Sequence, residues 1–171
     1  MDEAPRPIYV VDTCSLFLLQ THRRRTFGRL WARLDSLADD RRFLVPEEVE
    51  RELGDDDHED AVVWVRDHRT TVVVSTAQLW ARSQEVAGRY PKPGLVDLAK
   101  PSGTADPFLV ALALEERDRQ RATLWESPVK VITEERTRRP GRVAIPDACD
   151  DYGLEVGNLQ SLFDSEGWED L

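Results

Sequence analysis

The 171-residue chain is poor in sulfur, with two cysteines (Cys14 and Cys149) and one methionine. Both cysteines stand alone in apolar stretches, and no C-x-x-C or H-x-x-x-H begins a four-ligand zinc site. A disulfide scaffold is excluded, and a reduced, cytoplasmic setting is expected. Histidine is scarce too. His22, His58 and His68 lie in charged stretches without a paired nucleophile and read as solvated. No apolar run approaches the roughly 18 residues that cross a bilayer, so no membrane association is expected. The opening MDEAPRPIYVVD lacks the basic start and long apolar core of a secretory signal. Positive charge is in deficit, with 23 Lys and Arg against 33 Asp and Glu and a net charge of −10. That excludes a protein that coats nucleic acid through bulk electrostatics. It leaves open one that processes nucleic acid through cations held by carboxylates.

The chain has a 40% apolar content and a length suited to one domain over residues 1–171, with no internal repeat and no linker. Pro7–Val11 reads as a buried strand ended by Asp12. Ser15 is the expected N-cap for Leu16–Gln20. Phe27, Leu30, Trp31, Leu34 and Leu37 follow at helical spacing. Phe43–Val45 is a minimal strand, and Pro46 opens a helix over Glu47–Leu53 that Gly54 stops. An acidic turn at Asp55–Asp60 leads into a helix around Val62–Val65, and Thr71–Val74 has strand composition. Helices are expected over Thr76–Tyr90, from about Thr104 to Arg121, and over Pro146–Tyr152 and Asn158–Ser165, with a loop at Pro91–Gly103. Val129–Thr133 is a strand, and Val143–Ile145 a further short one.

Strands that run apolar throughout and alternate with helices indicate a parallel sheet covered on both faces, hence an α/β/α sandwich. In such sheets functional groups gather beyond the carboxyl ends of the strands. Asp12 follows the first strand directly, and Glu134 and Glu135 follow Val129–Thr133. Asp106 falls in the first turn of the long helix, where the dipole favours an acid. Glu48 and Glu52 share one face of the helix after Pro46. Each has an ordinary structural role as a cap, a turn former or a surface acid. Together, four carboxylates at one edge would repel strongly without cations between them. An oxygen-only site of that kind suits magnesium or manganese.

This placement resembles the PIN-domain nucleases through IYVVDT around Asp12, VPEEVEREL around Glu52, ADPFLVALAL around Asp106 and VITEE around Glu135. Within them the chain is most similar to a bacterial PIN-like branch of the DUF4411 type. The late IPDACDDYGLEVGNLQSLF and the closing Gly167–Trp168 are similar to that branch as well.

The resemblance implies a four- or five-stranded parallel sheet and a ribonuclease using one or two Mg²⁺ or Mn²⁺ ions. Asp12, Glu52, Asp106 and Glu135 become its catalytic metal ligands, and Thr133 its supporting hydroxyl. Many such proteins are toxins paired with an antitoxin protein, and they are often homodimers. Glu48 is the rival of Glu52, which the family pattern favours because its Glu directly precedes Leu. The chain departs from that pattern at Glu135, where Asp is usual, and at Cys14, where Asn or Ser is usual. The competing reading is a catalytically silent PIN-like module that binds RNA or protein.

Two arginine clusters interrupt the acidity: His22–Arg25 with Arg29, and Arg136, Arg138, Arg139 and Arg142. The second begins beside Glu135 and would meet substrate phosphate or an acidic partner segment. Trp31, Trp64, Trp80 and Trp125 fall on apolar helix faces and read as core or interface.

Overall fold

The computed structural model describes residues 5–91, 94–95, 105–123, 126–136 and 142–169. In chain order these form β1 (Ile8–Val11), α1 (Thr13–Leu19), α2 (Gly28–Asp39), β2 (Phe43–Pro46), α3 (Glu47–Leu53), α4 (Asp60–Asp67) and the single turn α5 (Arg69–Val72). They continue with β3 (Val73–Val74), α6 (Thr76–Arg89), α7 (Ala105–Arg121), β4 (Val129–Ile132), α8 (Ile145–Asp151), β5 (Glu155–Gly157) and α9 (Leu159–Ser165).

The strands make one sheet in the order β3-β2-β1-β4-β5, parallel at every pairing. Central β1 and β2 are buried along their whole length, which is why their residues are apolar on both faces. Val10 pairs with Leu44 on one side and Val131 on the other, and Val11 with Ile132. Asp12 and Thr133 therefore leave the sheet side by side. Helices cover the sheet to give the expected single-domain α/β/α sandwich, and the apolar first half of α7 is buried against it.

Several local expectations are corrected. Asp12, not Ser15, caps α1: its backbone is extended and its carboxylate accepts from Thr13 N at 2.7 Å. Ser15 is inside the helix and buried. The strand expected over Thr71–Val74 shrinks to Val73–Val74. Arg69 is drawn into ion pairs with Glu47 and Glu50, and the chain from Arg69 to Val72 closes a helical turn.

Val143–Ile145 is not a strand. Ala144 is the extended cap of α8, with Pro146 in its first turn. Trp31 and Trp64 are core, whereas Trp80 is 56% exposed, its ring 6.3 Å from that of Phe108. Trp125 lies outside the described residues. His58 is exposed as expected, but His68 packs at a tilt against Trp64, ring centroids 4.8 Å apart, and His22 packs edge-on against Phe27.

Candidate acidic site at the carboxyl edge of the sheet

The end of β1 delivers Asp12 to a nearly buried position, 7% exposed. Its Oδ1 holds the first amide of α1, and its Oδ2 accepts two more donors, Thr133 Oγ1 and Cys14 Sγ, both at 2.8 Å. Thr133 Oγ1 in turn accepts from Glu135 N at 3.2 Å. The hydroxyl expected from the sequence to support the site is thus the joint between the β1 and β4 ends. Cys14 Sγ also accepts from Glu134 N at 3.2 Å. Burial first, and then the charge of Asp12, push the Cys14 thiol up to about 12.

Glu52 reaches the same corner from α3, where its Oε2 accepts from Thr13 Oγ1 at 2.6 Å. Its rival Glu48 is 4% exposed and turns toward α6, accepting from Thr76 Oγ1 at 2.5 Å. Glu48 Oε2 is buried with no hydrogen-bond partner among the described residues. Glu52 rather than Glu48 is therefore the glutamate tied to the neighbour of Asp12.

The two glutamates after β4 each take a helix start. Glu134 Oε1 accepts from Leu159 N of α9, and Glu135 Oε2 from Ile145 N of α8, both at 2.9 Å. These bonds orient side chains that the sequence could place only at a strand end.

Asp106, in the first turn of α7, forms a short ion pair with Arg142. Glu135 Oε1 lies 3.8 Å from the same guanidinium. The Asp106 carboxyl is raised to about 7, chiefly by burial. Arg142 opposes that rise, and the charges of Asp12 and Glu135 add to it. Asp12, Asp106 and Glu135 thus lie within electrostatic reach of one another.

The donors fit magnesium or manganese in kind, since all are carboxylate oxygens crowded at a water-poor edge. They do not surround one point as they stand: among the described residues no group of three or more His, Cys, Asp or Glu could hold an ion. Asp106 and Glu135 both face Arg142 instead.

Of the arginines expected to meet substrate, Arg136 is exposed beside Glu135, and Arg138 and Arg139 lie outside the described residues. In the other cluster, Arg23 pairs with Glu59 and Arg24 with Asp35. Sequence reasoning missed Thr13 and the pairing of Arg142 with carboxylates rather than phosphate, and it gave Glu134, which it set at the strand end, no part in the site. The only advance signal was their position beside strand and helix ends.

A five-stranded parallel α/β sandwich with linked carboxylates beyond its carboxyl edge defines the class of protein. The chain belongs to the family described as "Domain of unknown function (DUF4411)", whose family model matches residues 9–169. No curated protein and no solved structure matches it.

Proposed function

We propose that the chain is a PIN-type, metal-dependent endoribonuclease of the cytoplasm, plausible as the toxin of a toxin–antitoxin pair and as a homodimer. The observation that supports this most is the joining of Asp12, Glu52, Asp106 and Glu135 through Thr13, Thr133 and Arg142 at one sheet edge.

Mg²⁺ or Mn²⁺ bound by these carboxylates would make a bound water easier to deprotonate and supply a countercharge for the leaving oxygen. The chain's own part is positioning. Thr133 and Cys14 fix the direction of Asp12 Oδ2, Thr13 fixes Glu52, and the first amide of α8 fixes Glu135. Arg136, exposed beside Glu135, would hold RNA phosphate at the rim.

One observation favours the alternative, a catalytically silent module that binds RNA or protein: the cation facing Asp106 and Glu135 is Arg142. Calorimetric titration of the purified chain with Mn²⁺, followed by incubation with a structured RNA, separates the readings. Binding with cutting supports the nuclease. RNA binding with neither Mn²⁺ binding nor cutting supports the silent module.

A further inference from the structure

Arg142 is built into the acidic edge rather than draped over it. Arg142 and Asp106 side chains are each 14% exposed, and that of Glu135 is 13% exposed. The Arg142 backbone makes a bridge with Gly94, and the next residue, Val143, donates its amide to Gly94 O at 3.0 Å. Three residues on, the first amide of α8 holds the other oxygen of Glu135. The guanidinium thus sits on an anchored stem, with both carboxylates turned to it.

Its charge is permanent, because arginine does not lose its proton in proteins. A magnesium ion needs oxygen lone pairs at roughly 2.1 Å and approaches them with two positive charges. The guanidinium opposes both: it is hydrogen-bonded to Asp106 Oδ2, and its charge lies 3.8 Å from Glu135 Oε1.

We infer that Arg142 is the resident counter-ion of this site, and that a divalent cation binding Asp106 and Glu135 displaces its guanidinium from Asp106. The inference rests on the reading of these carboxylates as metal ligands. Its consequence is a site that already holds one positive charge without metal and takes up an ion in competition with its own arginine.

The test is the affinity of the full chain for Mn²⁺, measured at fixed pH and salt by counting free ion by electron paramagnetic resonance. Arg142→Gln should bind Mn²⁺ about tenfold tighter than wild type or better, within the usual range of coupling between linked sites. Arg136→Gln removes the same charge from an exposed, screened position and should change affinity by less than about threefold. Equal or weaker binding by Arg142→Gln, or no binding by either chain, overturns the inference.

If Arg142→Gln fails to fold, the wild type carries the test through nuclear magnetic resonance. Titration with Mg²⁺ should shift the Arg142 Nε–H resonance, assigned by its loss in Arg142→Lys. Saturation with Mg²⁺ that leaves that resonance unmoved overturns the inference. Tighter Mn²⁺ binding by Arg142→Gln with no RNA cutting by any chain defeats the nuclease reading and leaves displacement standing. RNA cutting by the wild type with unchanged Mn²⁺ affinity in Arg142→Gln does the reverse.

Discussion

The Thr133 hydroxyl donates to Asp12 Oδ2 at 2.8 Å, joining the ends of two neighbouring parallel strands at the centre of the acidic site. Because both residues are buried, the bond has no ready substitute in water. Thr133→Val keeps the shape, removes the donor and leaves a carboxylate oxygen short of a partner. The expected cost is about 1–3 kcal/mol in urea unfolding, together with reduced metal-dependent cleavage. Thr133→Ser should recover most of both. A silent Thr133→Val variant would deny the hydroxyl its positioning role.

Asp106 makes stability depend on pH in a direction opposite to the usual carboxylate. Its ordinary value of 3.8 rises to about 7 in the folded chain, mainly through burial. Below both values the group is protonated folded or unfolded and nothing is lost. As pH climbs through that window, the unfolded chain ionises freely and the folded chain does not. The stabilising contribution therefore fades, by on the order of 4 kcal/mol once pH exceeds the folded value. Asp106→Asn removes the titration. In chelator-treated protein, its stability relative to wild type should rise steadily between pH 4 and pH 7. A difference independent of pH contradicts this account.

A second buried charge pair ties the end of the chain to the sheet. Arg42 and Glu166 form a close ion pair at 10% and 12% exposure, and Tyr9 Oη donates to Glu166 at 2.7 Å. Glu166→Gln leaves the Arg42 charge uncompensated and should cost about 3–5 kcal/mol. Replacing both, as Arg42→Met with Glu166→Leu, should cost far less. Urea midpoints of the two variants measure the contrast, and equal losses would contradict it.

Cys14 and Cys149 should be inert as nucleophiles. Burial, with the Asp12 charge adding to it, pushes both thiols up to about 12. Alkylation of the folded protein by iodoacetamide at pH 8 should run about a thousandfold slower than that of an exposed thiol. Both should react normally in urea. Rapid labelling of folded Cys14 would show that its bond to Asp12 is not maintained.

What the sequence could reveal followed from how each element is buried. IYVV and VKVI are buried strands whose branched residues announce them, and this placed Asp12 and Glu135 at one sheet edge. β5 escaped because Glu155 and Val156 lie exposed on the sheet's margin, where no apolar run is needed. Trp80 and Trp31 occupy similar helical patterns, yet only packing decides that one is exposed and the other buried. The pairing of Arg142 with Asp106 joins residues 36 positions apart, and charge order along a chain carries no such distance. Ser15 lost the cap to Asp12 because a residue leaving a strand already has the extended backbone that a cap requires.

The central claim concerns metal-dependent chemistry at Asp12 and Asp106. It is tested most directly by incubating a structured RNA with the purified chain and Mn²⁺ or Mg²⁺, beside the Asp12→Asn, Asp106→Asn double variant. The account predicts cutting that requires the ion and disappears in the folded double variant. Cutting that persists in the double variant, or a wild type that neither binds Mn²⁺ nor cuts, contradicts it.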